Sequence, residues 1–256
     1  METKKDVAIV TGVSRLNGMG RAICKRLAMA GADICFTYWT RYDQAMPWGV
    51  ETSEPDQIQK EIRSLGVKCE KIEIDLSEDL AATELFDFAN SKIGGVSMLV
   101  NNATHSVKSS ISTISSGVLD QHYAVNVRAV IMLIKEFTNR IEKGQRGSIV
   151  NLSSGQSLGQ MNNEFAYAIT KGAIDTLTTT IYSELAAKGI TINAVNPGPN
   201  DTGWMEGDLK QELKNRFPMG RVGLPADTAK LVSFLCSEDA SWITGQVIHS
   251  EGGFIR

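Results

Sequence analysis

VAIVTGVSRLNGMGRAI, residues 7–23, opens on a four-residue apolar run and passes through Gly12, Gly18 and Gly20 into a segment of helical character. Strand, glycine-rich turn and helix in that order let backbone approach a pyrophosphate at a helix N-terminus. An ordinary strand-to-helix turn carries glycines too, so the motif gains its weight from the rest of the chain. Downstream, short β-rich runs alternate with longer amphipathic segments, the pattern of a parallel sheet covered by helices on both faces. The expected strands are Val7–Val10, Asp33–Tyr38, Lys68–Ile74, Ser97–Asn101, Ser148–Leu152, Thr191–Val195 and Gln246–His249, all read as apolar because such strands are buried on both faces. The expected helices are Met19–Ala30, Asp56–Leu65, Glu78–Ile93, Val118–Glu142, Phe165–Lys188 and Ala226–Cys236. Gly31, Gly66, Gly94, Gly144 and Gly189 fall just past helix ends, where a left-handed residue is easiest for glycine. The fold class is therefore α/β, with no linker, internal repeat or low-complexity tract along the chain.

Composition narrows the function classes. With 256 residues, 42% hydrophobic and 21% charged, the chain can bury the core of one large domain. A net charge of -3 without a Lys/Arg cluster argues against a nucleic-acid partner held through phosphates. Cys24, Cys35, Cys69 and Cys236 lack paired spacing, so they read as small core residues and no metal site is expected. No stretch approaches the length of a membrane span, and a soluble cytoplasmic protein is the expectation.

Tyr167-Ala168-Ile169-Thr170-Lys171 carries the chemistry, with Ser154 thirteen residues before the tyrosine. Residues four apart share a helix face, so the Lys171 ammonium can sit beside the Tyr167 phenol. A cation about 4 Å away at an effective dielectric near 20 is worth about 4 kcal/mol. That corresponds to roughly three pKa units off a reference of about 10, bringing the phenol near working pH.

With these motifs in order, the chain resembles the classical short-chain dehydrogenase/reductase family, and 3-oxoacyl-acyl-carrier-protein reductases in particular, over essentially its whole length. The resemblance implies a Rossmann-type doubly wound sheet of about seven strands forming one NAD(P)-binding domain, 1–256. It implies that Thr11, Gly12, Gly18 and Gly20 form the cofactor turn, that Asp75 and Leu76 at the end of the third strand approach the adenine, and that Asn102 and Ala103 follow the fourth. Pro197, Gly198 and Thr202 would hold the nicotinamide end. Ser154, Tyr167, Lys171 and Asn126 match the catalytic set: Tyr167 as general acid in reduction, Ser154 orienting the substrate oxygen, Lys171 on the nicotinamide ribose, and Asn126 supporting a water relay behind it. The family also implies a homotetramer, a small carbonyl or alcohol substrate, and a mobile lid over about 202–222.

The chain departs from the family pattern in places. Five residues separate Gly12 from Gly18 where three are usual, so the turn must bulge. Enoyl reductases show a similar widening, but usually place tyrosine and lysine six apart. Thr104 replaces a glycine, and Asn200 stands where threonine is common. Asp33 stands at the very start of its strand and so sits at the wrong sheet edge for a ribose contact. The second strand ends in Thr37-Tyr38-Trp39-Thr40-Arg41, and Arg15 with Arg41 is expected to pair a 2′-phosphate, which favours NADP(H) over NAD(H). Two solvated arginines would be the plain alternative. The long connection Trp39–Pro55 is expected to cover the adenine end or meet a second subunit through Trp39, Tyr42 and Trp48. In the lid, Trp204, Met205, Leu209, Leu213, Phe217 and Met219 line an apolar pocket or pack a short helix. His105 and His122 are assigned no proton-transfer role, and Asp201 reads as a loop cap. The expected activity is reversible ketone reduction, with 3-oxoacyl thioesters first among substrates, sugars or polyols second, and a non-catalytic cofactor sensor as the contrasting class.

Overall fold

A computed structural model describes residues 5–46, 48–49, 51–205 and 207–256. Parts of the 39–55 connection and of the 202–222 segment, at 47, 50 and 206, lie outside these residues. Seven strands form one parallel sheet in the order β3-β2-β1-β4-β5-β6-β7. They are β1 Val7–Val10, β2 Asp33–Tyr38, β3 Cys69–Glu73, β4 Met98–Asn101, β5 Gly147–Leu152, β6 Ile190–Asn196 and β7 Val247–His249. The order reverses between β1 and β4, and that switch point is where doubly wound sheets open a crevice at their C-terminal edge.

Helices cover both faces. On one lie α1 (Met19–Met29), α3 (Glu54–Arg63) and α9 (Pro225–Cys236), whose Ile23, Leu27, Ile58, Ile62, Val232 and Leu235 share one buried cluster with Val10, Phe36, Val150 and Val195 of the sheet. On the other, α4 (Ala81–Lys92), α6 (Ala129–Arg140) and α7 (Phe165–Ala186) bury Leu85, Phe86, Leu133, Phe137, Ile174 and Leu185. Cys24, Cys35, Cys69 and Cys236 are all buried free thiols. The remaining helices are α2 (Thr40–Gln44), α5 (Ser116–Tyr123) and α8 (Asp208–Asn215). No helix among the described residues is long and apolar enough to cross a membrane.

Three expectations need correction. The strands are not uniformly apolar: β3 carries Glu70, Lys71 and Glu73 on partly exposed backbone, because it is an edge strand with one neighbour. The helix expected over Val118–Glu142 is interrupted by a π-helical turn at Ala124–Arg128, and this turn contains Asn126. The helix expected over Asp56–Leu65 is α3, Glu54–Arg63, which takes in the last two residues of the connection after β2, with Pro55 in its first turn.

Candidate active site

Thr11 follows β1 and is buried, and its Oγ1 accepts from the backbone N–H groups of Asn102 and Ala103, each at 3.0 Å. The Asn102 amide returns the contact, its Nδ2 donating to the carbonyls of Thr11 (2.8 Å) and Gly12 (2.9 Å). The ends of β1 and β4 are thus tied into one ledge. Gly12 has φ +73°, and a Cβ there would lie 2.6 Å from the Ala103 Cα. At Gly20 a Cβ would meet the Gly12 carbonyl at 2.8 Å, so this glycine lets α1 pack against the turn. The N-cap of α1 is Gly18, with no side-chain cap and no acid in the first turn. Its opening N–H groups therefore have no side-chain acceptor, the condition in which they bind an anion.

The two extra residues of the turn are pinned. Leu16 N–H donates to Glu54 Oε2 of α3 at 2.6 Å, and Arg21 Nη1 donates to the Leu16 carbonyl at 3.1 Å. Val13 is buried in the core, its N–H on the Thr37 carbonyl at 2.7 Å. Glu54 lies 38 residues beyond Leu16, so no local pattern announces it.

Arg15 emerges from this bulge into a clasp. Its Nη1 donates to the Thr202 carbonyl at 3.1 Å, its Nε lies 3.4 Å from Asp43 Oδ1, and its guanidinium covers the Trp48 ring at 4.8 Å. Trp48 Nε1 donates to the same buried Asp43 at 2.9 Å. Arg41 is exposed on α2 and stacks on Trp39 instead, with 5.5 Å from guanidinium to ring centroid. The two arginines thus engage different rings, and Asp43 is a partner for Arg15 that the spacing did not reveal. Asp33 sits at the opposite end of β2, paired with Lys5 at 2.9 Å and accepting from Lys68 N–H at 2.7 Å.

Tyr42 crosses the crevice: its hydroxyl donates to the Ser106 carbonyl (3.2 Å) and accepts from Ser106 N–H (3.1 Å). His105 lies beneath it, ring centroids 5.4 Å apart, and burial pushes the His105 imidazole down to about 4. His122 is fully buried, Nδ1 on the Val118 carbonyl at 2.7 Å and Nε2 accepting from Val107 N–H at 3.3 Å. Both ring nitrogens are thereby occupied in structural bonds. Asp75, just past β3, accepts from the N–H and Oγ of Ser77 (2.9 and 2.7 Å), beside a buried Leu76.

Ser154 follows β5 and caps a 3-10 turn, Gly155–Leu158, its Oγ accepting from Gln156 N–H at 3.2 Å. Tyr167 lies in the first turn of α7. Hydrogen bonds with Ser154 and Thr104 pull its phenol down, but burial outweighs them and pushes it to about 12. Lys171 is 4% exposed, and its Nζ donates to the Leu152 carbonyl at 2.7 Å, 5.5 Å from the Tyr167 ring centroid. Burial lowers it to about 8, against a smaller opposing effect from Asp175. The phenol near working pH expected from helical spacing is therefore corrected. Spacing places the cation on the right face, but desolvation of the phenol dominates and Lys171 is aimed at Leu152.

Asn126 Oδ1 accepts from His105 N–H (2.7 Å) and Thr104 Oγ1 (3.1 Å), while Nδ2 donates to the His105 carbonyl (2.8 Å) and Thr170 Oγ1 (3.0 Å). Thr170 Oγ1 in turn donates to the Tyr167 carbonyl at 2.8 Å. Asn126 thus bolts the segment after β4 to the Tyr167–Lys171 turn of α7, with the glycine-to-threonine change at 104 adding one of the bonds.

After β6, Gly198 has φ +62°, and a Cβ there would lie 2.5 Å from the Glu251 Cβ. Asn200 explains its own presence, since Nδ2 donates to the carbonyls of Pro197 (2.7 Å) and Gly198 (3.3 Å). Asp201 accepts from Gly203 N–H at 3.2 Å and pairs with Lys210 at 2.6 Å, a loop cap as expected. Of the apolar residues after Thr202, Met205 and Phe217 are buried with Val222, while Trp204, Leu209 and Met219 remain exposed.

A family model described as Enoyl-(Acyl carrier protein) reductase matches residues 12–255. The chain is also 33% identical over 251 residues to the 3-oxoacyl-[acyl-carrier-protein] reductase FabG of Staphylococcus epidermidis, covering 96% of this chain and 97% of that one. The chain belongs to the short-chain dehydrogenase/reductase family. This family member is an NAD(P)-dependent oxidoreductase. It is 44% identical over 256 residues to the uncharacterized oxidoreductase YjdA of Bacillus subtilis, covering 99% of this chain and 98% of that one. Among solved structures, angucycline C-6 ketoreductase LanV with bound NADP superposes with a TM-score of 0.84 at 29% identity, covering 97% of this chain and 95% of that one.

Proposed function

We propose that this family member is an NADP(H)-dependent reductase that converts a ketone to a secondary alcohol, and the reverse, through Ser154, Tyr167 and Lys171. The observation that carries the reading is the convergence of these three side chains at the C-terminal edge of β5, across the crevice from a glycine turn without room for side chains. The ledge of Thr11, Gly12, Gly18, Gly20, Asn102 and Ala103, with the uncapped start of α1, fits a pyrophosphate. Asp75 and Leu76 would border the adenine, and Pro197, Gly198 and Thr202 the nicotinamide end. When bound, the reduced nicotinamide would supply the hydride.

The chain's own residues handle the oxygen. Ser154 lies near enough to the Tyr167 phenol to draw its pKa down, and a carbonyl oxygen received between the two hydroxyls would meet two donors as negative charge develops. With its phenol at about 12, Tyr167 holds its proton throughout the neutral range, which suits a general acid in reduction. Lys171 supplies a positive charge behind it, and Asn126 fixes the turn that carries both. In this reading the whole chain, 1–256, acts as one cofactor-binding domain with 202–222 as its lid, in a cytoplasmic homotetramer. The FabG relatives make 3-oxoacyl thioesters the first substrates to test, with sugars and polyols next. A sensor without chemistry would have no use for Tyr167 and Lys171, and both are in place.

The NADP preference rests on Arg15, which the clasp holds beside the glycine turn, and on the NADP-bound ketoreductase among its structural neighbours. Titration with NADPH and NADH tests it. Arg15→Ala is expected to weaken NADPH binding about tenfold or more, the loss of one charge-assisted contact, and NADH binding less than threefold. Equal losses for both cofactors would mean that Arg15 serves the loop alone.

The charge on Lys171 sets an expected pH profile. It is present below about pH 8 and lost above it. Because kcat/KM reports groups of the free enzyme, reduction is expected to be level from pH 6 to 7 and to fall as pH rises through about 8. Lys171→Met should be slow at every pH and lack the fall; a fall retained in that variant would assign it to another group.

A further inference from the structure

We infer that Asp175 is a positioning residue for this site: its carboxylate holds the chain that leads into Ser154 against α7, and its charge keeps the Lys171 ammonium protonated in the working range. The inference rests on the reductase reading of Ser154, Tyr167 and Lys171 and adds a fourth side chain from the same helix. Tyr167, Lys171 and Asp175 stand at intervals of four in α7, so they line one face of that helix. Opposite them the chain leaves β5 through Leu152, Ser153 and Ser154. Both residues before Ser154 are tied to this face. Lys171 Nζ donates to the Leu152 carbonyl at 2.7 Å, and Ser153 Oγ donates to Asp175 Oδ1. On its other side the buried Ser153 donates its N–H to the Val195 carbonyl of β6 at 2.8 Å. The peptide entering Ser154 is therefore gripped between α7 and β6, and the distance from Ser154 to Tyr167 is set by one helix.

For the hydrogen bond alone a neutral acceptor would serve; the charge does something more. Lys171 is 4% exposed, and an ammonium taken out of water gives up its proton more readily. Asp175, one turn further along α7, opposes that loss. The charged or titratable groups that face Asp175 are Lys171 on its own helix and His249 at the end of β7, with Ser153 as its hydrogen-bond partner. Burial raises the Asp175 carboxyl above its ordinary value, and Ser153, His249 and Lys171 all act against that rise. Removing the negative charge frees Lys171 to lose its proton at lower pH, so the fall in activity must move down the pH scale.

The test is the pH profile of kcat/KM with NADPH and whichever 3-oxoacyl thioester, simple ketone or sugar the protein reduces fastest. Asp175→Asn keeps an acceptor for Ser153 Oγ and removes the charge, so the fall expected at about pH 8 should shift down by about half a unit or more. Ser153→Ala cuts the tie and keeps the carboxylate: kcat on the low-pH plateau should drop about tenfold through misplacement of Ser154, with the fall still near pH 8. This second variant has its own readout and serves where Asp175→Asn does not fold. His249→Gln removes the other titratable neighbour and should leave the fall in place. A natural profile without the fall, a fall unmoved in Asp175→Asn or moved as far in His249→Gln, or a natural kcat in Ser153→Ala overturns the inference and leaves the reductase reading intact. Protein that binds NADPH and reduces none of these substrates overturns that reading and the inference with it.

Discussion

Tyr167→Phe is expected to lower kcat for ketone reduction by about 10³-fold or more while changing the NADPH dissociation constant less than threefold. The substitution removes one oxygen and leaves the ring against Lys171 in place. Two contributions disappear together: proton donation, typically worth 10²–10⁴ in rate, and one of two hydrogen bonds to the developing alkoxide, typically 10²–10³. They overlap because one hydroxyl makes both, so the product of the two ranges overstates the loss. Ser154→Ala removes only the second kind of contribution and should cost about 10²-fold. Steady-state rates with cofactor affinity measured in parallel check the pair. A loss below tenfold in Tyr167→Phe would place the proton donor elsewhere.

Gly12→Val carries the second large effect, on binding and stability together. At φ +73° a side chain is strained by about 1–2 kcal/mol in any surroundings. Here the Cβ would also lie 2.6 Å from the Ala103 Cα, backbone that Thr11 Oγ1 holds by two hydrogen bonds and that cannot step aside. The turn and the ledge must separate, so NADPH binding should weaken more than 100-fold and the melting temperature should fall by about 5–10 °C, at roughly 2–4 °C per kcal/mol for a chain of this size. Gly66→Ala is the control. Its φ of +83° carries the same backbone strain with nothing within 4 Å, so it should cost a few degrees and leave NADPH binding unchanged. Equal effects from the two substitutions would mean that the approach of Gly12 to Ala103 is unimportant.

Local pattern announces what local physics controls. β1 and β2 run over the residues expected, Val7–Val10 and Asp33–Tyr38, because each is an apolar run closed by polar or turn-forming residues. Gly31, Gly66, Gly94 and Gly189 take positive φ at helix ends, for the reason glycine is used there, whereas Gly144 takes it in a separate turn because α6 stops at Arg140, before the end expected at Glu142. The π turn around Asn126 leaves no mark in a periodicity that continues through it. The phenol of Tyr167 shows the limit most clearly: four-residue spacing gives the face of the helix but neither the depth of burial nor the direction of the Lys171 side chain. The clasp is invisible for a related reason. Arg15 and Asp43 are brought together by the chain path over β2, and an arginine twenty-eight residues from a carboxylate looks solvated in the sequence.

The central claim, that this chain transfers hydride to a ketone at the Ser154–Tyr167 pair, is tested most directly by a single turnover with NADPH carrying deuterium at the transferable position of the nicotinamide. The product alcohol is then read by mass spectrometry. One deuterium is expected on the carbinol carbon for each cofactor oxidised, and none with Tyr167→Phe on the same timescale. Tight binding of the labelled cofactor with its deuterium fully retained, across oxoacyl thioesters, simple ketones and sugars, would contradict the claim and identify a protein that binds the nucleotide without using it.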